Sequence, residues 1–326
     1  MPEPLPPLPD IPRYRVASTA QLARAGRPAA LAILAEARRV YTAPALRLGD
    51  RLSRQWLERS RNPYRGEIAE IARILGQPGG WLLNLSYEWA CTSAVEGPRL
   101  GRTLDWKLDG LGRHVALAGF VGPAGPYESV TWPGFVGVTT ALAQGRFAGA
   151  LNQAPMPRTR LPLPLDWLRL RLGVWRGDAL PPSHLLRRVF DQAADYQQAK
   201  AMLAEIPVCL PVFYSLAGVK PDESCIIERT PRGAFLHEGR AAIANHWLTP
   251  GLTGAPRGYD SPGRLALMEG QWDGLGWDFD WVKPPILNPD TRLSVLADAA
   301  SGRLLVQGWE GQRPATAIHH GDAIRR

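Results

Sequence analysis

Three cysteines, Cys91, Cys209 and Cys225, are the side chains of this sequence best suited to nucleophilic chemistry. Their number is odd and their spacing shows no metal-type pairing, so neither a disulfide framework nor a zinc site is expected. Cys91 stands apart: Thr92 and Ser93 follow it, and the small residue Ala90 precedes it at the end of an apolar run. A cysteine in such a run is, on residue type alone, more often an inert core thiol than a nucleophile. Cutting the peptide bond before it changes its chemistry. The freed α-amine, with a pKa of ~7.7–8.0, would lie beside a thiol of ~8.5 and act as its general base. The cut would be an N-to-S acyl shift in which the thiol attacks the Ala90 carbonyl, which a small residue leaves accessible. Cys209 and Cys225 read as ordinary buried thiols.

Polar candidates surround this position in the sequence. Arg102 and Asp105 lie three apart, so on a strand they point to opposite faces unless a bulge intervenes; a surface ion pair is the alternative. Asn152 in GALNQAP and Asn245 in AIANHW offer side-chain amides, although an Asn at a strand end is often a turn residue. Arg264 in YDSPGRLALME is either a supporting charge or a solvated helix-face arginine. His319 and His320 are adjacent and cannot face one metal as a helical pair would. Asp278 and Asp280 at most border a pocket. Trp272, Trp277, Phe279 and Trp281 read as core or rim packing, or as the wall of an apolar channel. No metal and no cofactor are expected.

The elements that must position these residues fall into blocks. Residues 1–17 are Pro-rich and read as an extended arm. Ser18 to Gln21 has the form of a capping box, and a helix runs from there to about Tyr41, restarting at Pro28. Leu48, Leu52 and Trp56 recur every four residues on one face of a second helix that stops near Asn62-Pro63. A third runs from Gly66 to Leu75, with Ile68, Ile71 and Leu75 inward and Gly76 as C-cap. From Trp81 to Asn152 the pattern turns to short strands. Helical periodicity returns at 165–175 and 183–205, with Ser183 as an N-cap. Strands follow, then a short helix over Arg264–Gln271 and a last hairpin in RLSVLADAASGRLLVQGWE. This order points to an α+β layered fold.

The 326 residues include 45% hydrophobic ones, enough for a substantial core. The net charge of +8 comes almost wholly from arginine, with lysine only at 107, 200, 220 and 283, which reads as a GC-rich bacterial coding sequence. Residues 1–90 hold 13 Arg against 8 acidic residues, net +5. The arginines are scattered without a basic run, so nucleic-acid binding is not expected. The start lacks the regions of a secretory signal and no apolar run approaches the ~18 residues of a membrane span, which makes the cytoplasm the default location.

The segment NLSYEWACTSAVEGPRLGRTLDW resembles the self-processing junction of the acid ceramidase and N-acylethanolamine acid amidase family, within the choloylglycine hydrolase group. The resemblance lies in Tyr87-Glu88, in Cys91-Thr92-Ser93 and in Arg102-Thr103-Leu104-Asp105-Trp106. Upstream it extends to PRYRV and NPYRGEI, and downstream to FVGVTTALAQ, VFYSLAG, SCIIER and AIANHW. It covers most of residues 10–270 and is strongest over 60–106. It implies a four-layer αββα N-terminal-nucleophile hydrolase fold preceded by a helical prosegment, with residues 1–90 becoming an α subunit and 91–326 the catalytic domain. It implies Cys91 as nucleophile, Asp105 holding the new ammonium, and Arg102 lowering the thiol pKa. Asn152 and Asn245 would be oxyanion donors, each worth ~10²–10³ in rate, and Arg264 a supporting charge. Two features depart from the family: the link from Cys91 to Arg102 is shorter, and the glutamate expected near Asn152 is missing. The implied activity is cleavage of a fatty N-acyl amide, with an N-acylethanolamine, an N-acyl amino acid or a ceramide as substrate. An acyltransferase of the isopenicillin-N type and a non-cleaving lipid-binding module are the alternatives. The implied partners are the lipid amide, the cleaved N-terminal fragment and an anionic membrane surface.

Overall fold

The computed structural model describes residues 7–86, 89–159, 162–255, 257–271 and 276–323, with only the backbone of Leu163. Tyr87, Glu88 and Trp272 lie outside the described residues.

The apolar periodicities of the first quarter become α1 (Thr19–Ala25), α2 (Arg27–Tyr41), α3 (Ala43–Arg59) and α4 (Arg65–Leu75). Ser18 caps α1 by accepting from the Gln21 amide at 3.2 Å, while Gln21 reaches back to the Ala17 amide, one residue beyond the one a capping box uses. α4 buries Ile68, Ile71 and Leu75 and ends on Gly76 at φ +62°, a left-handed C-cap that glycine adopts without strain. α3 departs from the expected face. Its buried residues are Leu46, Ser53, Trp56 and Leu57, whereas Leu48 is 59% and Leu52 45% exposed. The Trp56 indole donates to the Val174 carbonyl at 2.8 Å and fixes which side of the helix turns inward.

One sheet of eight strands runs, in spatial order, β1 (Arg13–Arg15), β4 (Ala116–Gly122), β5 (Gly125–Thr131), β6 (Thr140–Ala143), β7 (Phe147–Gln153), β8 (Val212–Ala217), β9 (Ser224–Thr230) and β10 (Gly233–Glu238). The other runs β11 (Ala241–Ile243), β2 (Ala90–Glu96), β3 (Arg99–Asp105), β12 (Thr291–Asp298), β13 (Arg303–Glu310) and β14 (Arg313–Pro314), with β15 (His319–Asp322) also on β13. The expected last hairpin is β12–β13. The remaining helices are α5 (Leu163–Arg176), α6 (Pro182–Gln192), α7 (Tyr196–Glu205) and α8 (Ser261–Gly270). The helical stretch expected over 183–205 is thus two helices. Ala193 is extended and Asp195 restarts the helix by accepting from the Gln198 amide at 2.8 Å. Ser183 sits inside the first turn of α6, whose N-cap is Pro181.

The layers follow from what each face buries. Phe190 and Leu186 of α6 pack over Gly149 on the outer face of the first sheet. Leu265 and Met268 of α8 pack with Ala94, Ala242, Phe279 and Trp281 on the outer face of the second. Between the sheets Ser93 Oγ meets Ser215 Oγ at 2.7 Å. This is the αββα arrangement, and it makes Phe279 and Trp281 core beneath α8, with Trp277 packed partly buried against them. The N-terminal arm joins the same body: β1 pairs in parallel with β4, and Arg13 forms a two-pronged ion pair with the fully buried Glu128, both contacts at 2.6 Å. Among the described residues no helix is long and apolar enough to cross a membrane.

Candidate active site

β2 and β3 form a hairpin closed by Gly97-Pro98, with Cys91 opposite Leu104, Ser93 opposite Arg102 and Ala90 opposite Asp105. Directly opposed residues share a face, so the hairpin sorts the candidates into two sets. Cys91, Ser93 and Arg102 point between the sheets; Ala90, Thr92 and Asp105 point toward α8. The shorter link seen in the sequence is accommodated by this tight turn, with Gly97 at φ +51°. Arg102 and Asp105 lie on opposite faces, as their spacing predicts. The register shift beside them is on β12, between Thr291 and Leu293, and leaves the alternation of β3 intact.

Arg102 is fully buried. Its Nη2 donates to Cys91 Sγ at 2.7 Å and to the Leu151 carbonyl at 3.1 Å, and its Nη1 donates to Thr140 Oγ1 at 2.5 Å. The opposite sheet therefore aims the guanidinium at the thiol. Burial pushes the Cys91 thiol up, Arg102 pulls it down, Asp105 pushes it up and Arg264 pulls it down, with a net rise. Arg102 lowers the thiol pKa, as expected of it, but while residue 90 remains joined to Cys91 the loss of water outweighs the guanidinium.

Arg264 is not a solvated helix-face residue. It is fully buried at the start of α8, where Asp260 is the N-cap and accepts from the Gly263 amide at 3.0 Å. Its Nη1 donates to the Cys91 carbonyl at 2.8 Å and to Thr92 Oγ1 at 2.9 Å. Its Nη2 donates to Asn245 Oδ1 at 2.9 Å and to the Arg257 carbonyl at 3.2 Å, and its Nε to the Tyr259 carbonyl at 2.6 Å. All five donors have an acceptor, which is what allows a buried guanidinium to persist.

Asn245 follows β11 and is buried. Its Oδ1 accepts the Cys91 backbone N–H at 2.8 Å, while its Nδ2 donates to the Gln153 carbonyl at 2.7 Å. Here the carbonyl end of the amide faces the candidate nucleophile's nitrogen. An oxyanion-donor role for Nδ2 requires the Gln153 bond to be exchanged. Asn152, also buried, donates to the Ile243 and Ala244 carbonyls at 3.3 Å each, tying β7 to the segment that carries Asn245. Its Oδ1 has no partner among the described residues. Asp105 accepts from Asn288 Nδ2 at 2.9 Å and Thr291 Oγ1 at 3.0 Å, and lies 3.7 Å from Arg264 Nη1. Burial raises its carboxyl above the usual range against the pull of Arg264, Asn288 and Thr291. No group of His, Cys, Asp and Glu able to hold a metal occurs among the described residues.

No family model matches the chain. It is 24% identical to acid ceramidase of Bos taurus over 279 residues, 74% of this chain and 68% of that protein. It is 25% identical to the N-acylethanolamine-hydrolyzing acid amidase of Cavia porcellus over 204 residues, 59% of this chain and 53% of that protein. For several of these curated relatives the matched part is about half of their own length. A solved structure of a Caenorhabditis elegans N-acylethanolamine-hydrolyzing acid amidase ortholog superposes with a TM-score of 0.52 at 19% identity, covering 64% of this chain and 93% of that one. The chain is similar in sequence and fold to acid ceramidases and N-acylethanolamine acid amidases. Its fold is that of the N-terminal-nucleophile hydrolases, and its relatives bear the names of amide-hydrolysing enzymes.

The surroundings of the site matter as much as its centre. A cleft of about 320 Å³ opens over the junction, lined by Ala90, Asp105, Trp106, Gln153, Arg257 and Gly258. Trp106 also lines a smaller apolar cavity of about 40 Å³ shared by Ile33 and Leu34 of α2 with Trp89, Trp132 and Phe135 of the body. Trp89 meets Trp106 edge-on at 5.7 Å and Phe135 at 5.9 Å. Phe279 and Trp281, which the sequence offered as a channel wall, do not line it. Sequence reasoning also missed Thr140, Asn288, Thr291 and Ser261, whose Oγ accepts the Asn245 amide at 2.8 Å. Of these only Asn288, in an Asn-Pro-Asp turn, carried a local signal, and that signal said turn, not site.

Proposed function

We propose that the chain is the precursor of a cysteine amidohydrolase that cuts itself between Ala90 and Cys91 and then cleaves the linear amide of a fatty N-acyl substrate. The observation that carries this reading is the convergence on one residue: Arg102 holds the Cys91 sulfur, Asn245 its N–H and Arg264 its carbonyl, all within 2.9 Å. An inert core cysteine has no need of two buried cations and an amide.

In processing, the Cys91 sulfur bonds to the Ala90 carbonyl carbon, the carbon–nitrogen bond breaks, and the thiol proton goes to the departing nitrogen, which becomes the α-amine of Cys91. Water then hydrolyses the thioester, leaving a carboxylate on Ala90 and restoring the thiol. In turnover the α-amine takes the thiol proton as the sulfur attacks the acyl carbonyl of the substrate. The leaving amine receives that proton, and water releases the fatty acid. Asn245 Oδ1 keeps the α-amine in place, Arg102 steadies the thiolate, and Arg264 fixes the Cys91 backbone. Asp105 lies beside the junction with Arg264 and adds negative charge where an ammonium forms.

Three features support the finer assignment. The cleft over the junction, with the small apolar cavity beyond Trp106, offers room for the start of an acyl chain, be it that of an N-acylethanolamine, an N-acyl amino acid or a ceramide. The fragment 1–90 stays attached through β1, the Arg13–Glu128 pair and the Glu67–Arg187 pair as an α subunit. Finally, α3 lies against α5 through Trp56 and Arg59, and together they expose Leu48, Leu52, Trp167, Leu168 and Leu172 among Arg47, Arg51 and Arg169. Such a basic, apolar face fits an anionic membrane, and binding there weakens as salt rises. The expected prosegment contact thus includes a helix from beyond residue 90.

Intact-mass measurement tests the reading. The wild type yields fragments ending at Ala90 and beginning at Cys91, Cys91→Ala stays one chain, and the matured protein releases fatty acid from an N-acylethanolamine. A wild type that stays whole while hydrolysing amides at full rate overturns it.

A further inference from the structure

We propose that Gly258 gauges the size of the group on the acyl side of the bond that Cys91 attacks, and so restricts both the residue at position 90 and the second carbon of the acyl group in a substrate. The proposal rests on the reading of Cys91 as a nucleophile and names a specificity determinant within it.

The loop 257–260 crosses directly over Ala90. Gly258 has φ +71°, a region that side chains other than glycine's adopt at a cost. A Cβ built there would stand 2.3 Å from the Ala90 Cβ and 3.1 Å from Arg264 Nη2. The loop has little freedom to retreat. Arg264 grips it through the Arg257 and Tyr259 carbonyls, Arg257 Nε donates to the Ala154 carbonyl at 3.2 Å, and Asp260 is committed to capping α8. The same guanidinium that fixes the roof also holds the Cys91 carbonyl, so roof and nucleophile are in register. Between them is room for one methyl group, which Ala90 fills.

The chemistry extends this gauge from processing to turnover. The sulfur that bonds to the Ala90 carbonyl carbon during the cut later bonds to the acyl carbonyl carbon of a substrate. The substrate's second carbon then stands where the Ala90 Cα stood. The cleft lined by Ala90, Trp106 and Gly258 opens beside this carbon, and a straight acyl chain can leave along it while Trp89 stays in place. A branch at the second carbon points to Gly258 and meets the same limit as the Ala90 methyl.

Four proteins test this by intact-mass time courses: wild type, Ala90→Gly, Gly258→Ala and the double variant. Overpacking at a fixed site slows the step it crowds, and Gly258→Ala is expected to cut at least about tenfold more slowly than wild type. Adding Ala90→Gly removes the opposing methyl and restores cleavage. The matured Ala90→Gly protein and the matured double variant are then assayed on dodecanoyl and 2-methyldodecanoyl amides of an aminocoumarin. The double variant keeps the straight-chain amide and loses the branched one relative to the protein that retains Gly258. Cleavage of Gly258→Ala at the wild-type rate overturns the proposal. So does a folded double variant that stays uncut, which would assign the effect to backbone strain, and so does equal treatment of the two amides. A wild type that never cuts instead removes the nucleophile reading on which the proposal rests.

Discussion

Arg264 on α8 and Arg51 on α3 are the same residue type on helices of mixed composition, yet one is sealed against the Cys91 backbone and the other faces solvent beside Leu48 and Leu52. The α8 end meets four carbonyl oxygens and the Thr92 hydroxyl from three separate segments, so five donors find five acceptors and the cation can leave water. On α3, Arg47 and Arg51 are exposed and stay hydrated beside the exposed Leu48 and Leu52. The arginines of this chain thus range from the buried Arg102 and Arg264, which organise the site, to exposed ones such as Arg47 and Arg51, which shape a surface.

The contrast is broken most sharply at Arg264. Arg264→Met strands the Cys91 carbonyl, Thr92 and Asn245 acceptors and leaves Asp105 without its cation. Unpairing a buried charge of this kind costs roughly 3–5 kcal/mol, and denaturant unfolding should register it together with lost self-cleavage. Arg51→Met, by comparison, should shift stability by no more than about 0.5 kcal/mol. Similar losses for the two variants would erase the distinction between them.

A second test probes the seam between the N-terminal helices and the body. Asn62 Nδ2 meets the buried His184 Nδ1 at 3.1 Å, and burial, helped by Arg187, holds this imidazole down to about 3. The unfolded imidazole titrates near ~6.5, so between about pH 6.5 and 3 the unfolded chain binds the proton that the folded one refuses. Stability therefore falls as pH drops through that window, by an amount on the order of a few kcal/mol. His184→Asn, which keeps an acceptor for Asn62, should flatten this dependence in thermal melts followed from pH 7 to 4; an unchanged slope would remove His184 as its source.

Smaller effects belong to the residues that support Asp105 and to the surface. Asn288→Ala leaves one Asp105 oxygen without its amide, a loss of about 1–3 kcal/mol, and self-cleavage should slow while the fold persists in circular dichroism. Replacing Leu48, Leu52 and Trp167 by Ser should leave melting within about 0.5 kcal/mol but weaken sedimentation with phosphatidylserine vesicles. Unaltered vesicle binding would leave the α3–α5 face as plain surface.

Much of the framework was legible locally. The periodicity of Ile68, Ile71 and Leu75 with Gly76 marks α4, and the closing hairpin stands out in its alternation, because each depends only on neighbours a few residues away. The junction was legible as a motif: Cys91-Thr92-Ser93 followed by Arg102 and Asp105 carries the family resemblance and the two-faced strand geometry that the structure displays. The helix break at Ala193 was not, since Asp195 as an N-cap competes with an unbroken apolar pattern.

Local pattern was thus enough to say where most strands and helices form, which thiol is singled out, and that Arg102 and Asp105 face opposite ways. It took the assembled chain to seal Arg264 in the site, to turn the Asn245 oxygen to the Cys91 amide, to face Leu48 and Leu52 outward, and to raise the Cys91 thiol while residue 90 is still attached. These outcomes depend on segments brought together from distant parts of the chain. Burial sets both the cost of a charge and the partners able to offset it, and it belongs to the assembled body and to no local stretch of it.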